Sequence, residues 1–343
     1  MKKVVVVGGG FAGAKVAKNL ENDFSVTLID TKDYYEFTPG ILRSIVRPNH
    51  LKHIEICHKD YLKSAKFIKD SVIGIKGKSV VLKRGKSIKF DYLVIASGSE
   101  YKAPIKAKNL LIADRGKRII EYHKRFEKAK RIIIVGGGLV GVELAGEISC
   151  FHKEKSVTMV HSKDSLMERN YEKSRKFAKK ILEKREVQIF FNERVMEYNE
   201  RGVKTDKGRS LGCDLVILCT GIKPNSDFIE KELLEGKGFI KVNEFLQMDS
   251  REDVFVCGDV ASIKEEKTAQ GSEKQGGFVV KNLFYFDRKE KMKSYVPRRR
   301  PMVISLGKWN GIFEWKGFVL TGLIPAFMKW AIEKKTMIKY GKI

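Results

Sequence analysis

A chain of 343 residues, 43% of them hydrophobic, is too long for one ordinary core and predicts two or three domains. Its 68 Lys and Arg against 42 Asp and Glu give a formal charge of +26, a field that attracts anionic cofactors, anionic lipid or nucleic acid where it does not simply solvate the surface. Five cysteines (57, 150, 213, 219 and 257) without a CxxC pair exclude a disulfide framework, and the apolar runs are too short for a leader or a spanning helix, so the expected setting is reducing and cytoplasmic.

In chain order, Val4 to Val7 form a β-branched run that reads as a buried parallel strand. Gly8, Gly10 and Gly13 follow as G-x-G-x-x-G around Phe11 and Ala12, and helical spacing continues to Leu20. That order has a mechanism. The first glycine makes the tight turn, the second lets backbone approach a pyrophosphate, and the third lets the helix pack on the strand. The helix N-terminus then offers free N–H groups to phosphate. The next strand, SVTLID, ends in Asp30, where a carboxylate can hold a ribose hydroxyl pair.

The pattern returns 128 positions later. Ile132 to Val135 read as a strand, and Gly136, Gly138 and Gly141 repeat the spacing around Leu139 and Val140. The strand SVTMVHS ends near His161 or Ser162, with no acid. Ser162 followed by Lys163 would tolerate a 2′-phosphate, so NADH and NADPH both remain open. Two dinucleotide loops imply two dinucleotides, with electron transfer between nicotinamide and a flavin as the economical chemistry. A duplicated domain with one dead site is the alternative.

These residues resemble the flavoprotein oxidoreductases with two dinucleotide-binding domains. Within them the chain is most similar to the type II NADH dehydrogenases and the ferroptosis-suppressor branch of the apoptosis-inducing-factor-like proteins. DYLVIASGS (91 to 99), with Ala96, Ser97 and Gly98, resembles the family's turn beside FAD. DLVILCTGIKPNS (214 to 226), with Thr220 and Gly221, is similar to the matching turn after the nicotinamide domain. DVFVCGDVA (253 to 261) resembles the late FAD motif, in which Gly258 and Asp259 reach the ribityl and phosphate region. The family's glutamate near the nicotinamide falls on Glu143. In TAQGSEKQGGFVVKNL, Gln270 matches the first of two family glutamines. Lys274 stands at the second position, where a cation could steady an anionic flavin, and Gln275 is shifted by one. A looser match falls on Lys106.

The resemblance implies an α/β fold with two Rossmann-like dinucleotide-binding domains, the NAD(P) domain inserted in the FAD domain, plus a small C-terminal membrane-interface region. The expected boundaries are 1–105 and 227–300 for FAD, 106–226 for NAD(P), and 301–343 for the C-terminal region, with 102–130 as the crossing segment that contains Pro104. It also implies FAD as cofactor, NADH or NADPH as co-substrate, and a quinone as acceptor. The stretch EFTPGILRSIV (36 to 46) holds no cysteine pair, which argues against a dithiol relay, and the intact second loop argues against a sulfide:quinone reductase. His50, His53, Cys57 and His58 fit no zinc template and read as a Lys-rich surface loop, so no metal is expected.

Trp309, Trp315 and Trp330 all lie in the last 35 residues, and positions 281–343 carry 15 Lys and Arg against 4 Asp and Glu. Rings and cations around an apolar stretch suit a bilayer interface. In GFVLTGLIPAFMKWAIEKK, Pro325 sits near a helix start, with Leu323, Ile324, Phe327, Met328, Trp330 and Ala331 on one face and Lys329 and Glu333 on the other. The helix reads as lying in an anionic membrane surface through residues 318–343; an ordinary helix completing a homodimer or a core is the alternative. The expected activity is therefore a membrane-associated, FAD-dependent NAD(P)H:quinone oxidoreductase. Its rivals are reduction of a soluble carrier, for which deleting 318–343 should be harmless, and a basic nucleic-acid-binding flavoprotein. No recognition motif supports the last, and nucleic acid is not an expected partner.

Overall fold

The runs of Val and Ile that lack polar alternation become strands buried on both faces. A computed structural model describes residues 1–100, 123–199 and 202–341. Pro104, Lys106, the 105/106 boundary and most of the crossing segment lie outside these residues, whereas 123–128 are helical. The first segment supplies β1 (Lys3–Val7), α1 (Phe11–Leu20), β2 (Ser25–Asp30), α2 (Ile41–Val46), β3 (Lys66–Lys69) and β4 (Tyr92–Ile95). The middle supplies β5 (Arg131–Val135), α3 (Leu139–Phe151), β6 (Ser156–Val160), α4 (Glu172–Lys184), β7 (Gln188–Phe190) and β8 (Leu215–Leu218). The chain then returns through β9 (Gln247–Met248), β10 (Arg251–Val256) and α5 (Ala269–Asp287). It ends in β11 (Met302–Ser305), β12 (Gly311–Trp315), β13 (Phe318–Gly322) and α6 (Leu323–Lys339).

One sheet has the order β9-β10-β4-β1-β2-β3, parallel except at β9; the other has the order β7-β6-β5-β8, parallel throughout. The two halves repeat each other beyond the glycines. β1 lies between β2 and β4 as β5 lies between β6 and β8. A three-stranded antiparallel meander precedes β4 (Val72–Lys76, Ser79–Leu82, Ser87–Lys89). Another precedes β8 (Val195–Asn199, Gly202–Thr205, Ser210–Gly212). The loop is spelled twice because the whole unit is duplicated.

The insertion and return are visible in the packing. β10 pairs with β4 in parallel, and Ile229, Ile240 and Met248 share a core with Val5, Val7 and Leu93. α5 packs along α1, where Gly276 leaves no room for a Cβ against the Ala12 backbone. Ser99–Glu100 pairs with Lys223–Pro224, a short ribbon joining the two turns that follow β4 and β8. The C-terminal meander β11–β13 is fastened to the middle segment by the buried Glu314. Its carboxylate accepts Asn170 Nδ2–H at 2.7 Å and Ser174 Oγ–H at 2.7 Å.

Candidate functional site

Each glycine loop closes in the same way. Gly8 N–H donates to Ile29 at 2.8 Å and Gly136 N–H to Val160 at 2.9 Å, and both glycines have positive φ (+99° and +110°). A Cβ on Gly13 would run into the Gly8 carbonyl, as one on Gly141 would into Gly136. Gly10 and Gly138, by contrast, have nothing within 4 Å of a Cβ, so the backbone there is open to an approaching group. The N-termini of α1 and α3 start at these open positions, with their first N–H groups available to phosphate.

The residue at the end of the strand that follows each loop and helix differs. Asp30 Oδ2 accepts Gly9 N–H at 2.5 Å, and Oδ1 accepts Lys32 N–H at 2.9 Å, while the carboxylate still lines the cleft. In the second loop the equivalent acceptor is His161, whose Nδ1 accepts Gly137 N–H at 3.1 Å. Burial lowers the His161 pKa, so the ring is neutral, with its proton on Nε2 facing the Ser165 carbonyl at 3.1 Å. Ser162 beside it is exposed, as are Thr220 and Gly221 in the turn after β8.

A cleft of about 1520 Å³ gathers most of the remaining residues. It is lined by Gly8, Gly10, Phe11, Ala12, Asp30, Ala96, Ser97, Gly98, Gly258 and Asp259, and at its other end by Leu139, Val140 and Glu143. The FAD-type turn is knitted to the nicotinamide-type turn. Ser97 Oγ–H donates to the Asn225 carbonyl at 2.7 Å, and Asn225 Nδ2–H returns to Ser97 at 2.9 Å. Asp259 accepts Ser99 Oγ–H at 2.6 Å and Ser272 Oγ–H at 3.2 Å, so its carboxylate is fixed at the cleft wall. Backbone open at Gly10, a phosphate-ready helix end and a fixed carboxylate at the far wall fit FAD along this cleft.

Glu143 is brought to the cleft but is not idle. Its Oε1 accepts Ser305 N–H at 2.9 Å and Lys329 Nζ–H at 2.9 Å. Gln270 lines the cleft, whereas Lys274 points outward into solvent and lines none of it; nearby Arg300 pushes its ammonium pKa down. Gln275 is buried and accepts Gly258 N–H at 2.7 Å, which fixes the turn before Asp259. The cation beside Asp259 is Lys267, a residue that sequence reasoning passed over. Burial lowers its pKa, and its Nζ donates to the Ala261 carbonyl at 2.5 Å.

Lys329 and Glu333, on the side of α6 away from the apolar stripe, are engaged by the rest of the protein: Lys329 pairs with Glu143 and Glu333 accepts from His50 at 3.2 Å. One expectation needs correction: the histidine segment is not a surface loop. His58 is fully buried, and its Nδ1 lies 2.7 Å from the Tyr61 hydroxyl.

The family profile of the pyridine nucleotide-disulphide oxidoreductases matches residues 2–276. The chain belongs to that family. It is an FAD-dependent NAD(P)H oxidoreductase, with a two-dinucleotide fold. The mouse protein named ferroptosis suppressor protein 1 is 32% identical over 345 residues, covering 95% of this chain and 92% of that one. Apoptosis-inducing factor homolog A of Dictyostelium discoideum is 32% identical, covering 91% and 85%. Among solved structures, the sulfide:quinone oxidoreductase of Aquifex aeolicus superposes with a TM-score of 0.84 at 19% identity, covering 99% and 91%. NDH2 of Plasmodium falciparum, solved with NADH, superposes with a TM-score of 0.78 at 13% identity, covering 100% and 99%. Despite the family's name, the oxidoreductase has no cysteine pair beside the cleft. Cys219 and Cys257 are buried, and burial pushes both thiols up to about 12, where no thiolate forms at neutral pH.

Proposed function

We propose that this oxidoreductase passes electrons from NAD(P)H through FAD to a quinone at an anionic membrane surface. The observation that carries the reading is the position of α6. Its inner side reaches the cleft through Met328, Lys329 and Ile332, and its outer side exposes Leu323 (64%), Ile324 (62%), Phe327 (64%) and Ile338 (61%) together with Trp330. One helix therefore connects the cofactor cleft to an apolar face of the kind a bilayer covers. Trp309, Trp315 and Phe318 are exposed on the adjoining meander, with Lys308 and Lys316 over the two indole rings. No helix among the described residues is long and apolar enough to cross a membrane. The names of the Aquifex and Plasmodium neighbours support a quinone and NADH as partners of this fold.

The assignment of parts follows. Gly8, Gly10, Gly13, Asp30, Ser97, Gly258 and Asp259 hold FAD, and Gly136, Gly138, Gly141 and Ser162 hold the nicotinamide dinucleotide, with segments 1–105 and 227–300 around the first and 106–226 around the second. FAD, when bound, accepts a hydride and releases electrons to the acceptor. Glu143, oriented by Ser305 and Lys329, offers a carboxylate where the two sites meet. Gln270, at the start of α5, lines the cleft.

Truncating 318–343 is no longer a clean test, because β13 pairs with β12 and α6 supplies Lys329 to Glu143. Substitutions on the outer face are clean. Leu323→Ser, Phe327→Ser and Trp330→Ser combined should abolish binding to vesicles containing anionic lipid and reduction of a quinone embedded in them, while ferricyanide reduction in solution continues unchanged. Unaltered vesicle quinone reduction by that variant would refute the membrane reading and favour a soluble acceptor.

A further inference from the structure

The cofactor loop rests on a buried aromatic box whose keystone comes from the C-terminus. Tyr340, just after α6 and 1% exposed, stacks on Tyr35 with centroids 4.3 Å apart and meets Tyr61 edge-on at 4.9 Å. Two arms run from it to the first glycine loop. Tyr35 packs edge-on against Phe11, the first residue of α1, at 5.3 Å. Tyr61 holds His58, whose ring lies directly under Gly9; a Cβ on Gly9 would come within 2.6 Å of its Nε2. Burial keeps Tyr61 a phenol, and its hydroxyl shares a hydrogen bond with His58 Nδ1. His58 Nε2 lies 3.9 Å from Asp30 Oδ2, the oxygen that also accepts Gly9 N–H.

We infer that His58 and Tyr340 are positioning residues for FAD: Tyr340 wedges the box, and His58 sets the Asp30 carboxylate and the Gly9 backbone against the cofactor's adenosine end. The inference rests on the reading of the first loop as the FAD site. Its consequence is that α6, the helix with the exposed apolar face, is energetically coupled to cofactor retention. Tyr340 is 310 positions from Asp30 in sequence, so no local motif contains this link.

The test is the dissociation constant of FAD from the full chain, followed by flavin fluorescence, with NADP+ affinity of the second loop measured alongside. Tyr340→Leu should weaken FAD about tenfold, within the usual range of coupling between sites, and leave NADP+ affinity unchanged. Tyr340→Phe should stay within about twofold, because the hydroxyl has no partner among the described residues. His58→Leu should weaken FAD, and His58→Gln, which keeps a polar side-chain end near the Nε2 position, should restore most of it. This pair carries the test if Tyr340→Leu does not fold. Trp330→Ala, on the outer face of the same helix, should leave FAD affinity unchanged. Unchanged FAD affinity in folded Tyr340→Leu and His58→Leu would overturn the inference, as would equal weakening by Trp330→Ala. A wild-type protein that takes up no FAD would overturn the cofactor reading and this inference together.

Discussion

Gly10 and Gly13 are three residues apart and predict opposite phenotypes. At Gly10 a side chain meets open space, so Gly10→Val should leave the melting temperature near wild type while abolishing FAD retention. At Gly13 a Cβ meets the Gly8 carbonyl, and Gly13→Ala should cost about 3 kcal/mol of stability, read as a shift in denaturation midpoint. His58 adds a pH dependence. Burial depresses its pKa from 6.5 to about 4, so between those values the unfolded chain takes up a proton that the folded one refuses. Stability should then fall by about 3 kcal/mol as pH drops from 7 to 4, and His58→Gln should remove that slope from urea unfolding measured across the window. The glycines were legible in sequence because turn, phosphate approach and helix packing are all local demands. His58 was not, because its surroundings (Tyr61 and, through it, Tyr340) come from residues that a Lys-rich neighbourhood gives no reason to join.

At the scale of elements, α6 shows what amphipathicity does and does not say. The sequence located Pro325 near the helix start and the apolar stripe, of which Leu323, Ile324, Phe327 and Trp330 are exposed while Met328 lines the cleft. Amphipathicity alone does not say which face the rest of the protein takes. Here the polar face is docked, by Lys329 on Glu143 and Glu333 on His50, while the adjoining Arg43 makes a two-pronged contact with Glu147 at 3.0 and 3.1 Å. Lys329→Met should therefore cost about 1–2 kcal/mol by stripping Glu143 of its cation, measurable as a lower denaturation midpoint. Serine at Leu323 or Phe327, both exposed, should cost under about 0.5 kcal/mol. At the second family glutamine position α5 leaves Lys274 exposed and places Gln275, one residue on, against Gly258.

For the whole molecule, the duplicated unit explains most of what could be read in advance. Two βαβ halves, each with its meander, set two loops of the same geometry, and the return of β10 to the side of β4 closes the first half around the second. In the proposed function the +26 charge draws the protein to anionic lipid, so vesicle binding should weaken steeply as salt rises and should be restored by a higher fraction of anionic lipid. The central claim is a two-stage transfer across the shared cleft. It is tested most directly by anaerobic stopped-flow of the FAD-loaded protein on vesicles. NADH or NADPH alone should bleach the flavin absorbance in one phase, and a quinone added afterwards in the same vesicles should restore it. Bleaching that the quinone does not reverse, though ferricyanide does, would contradict the account.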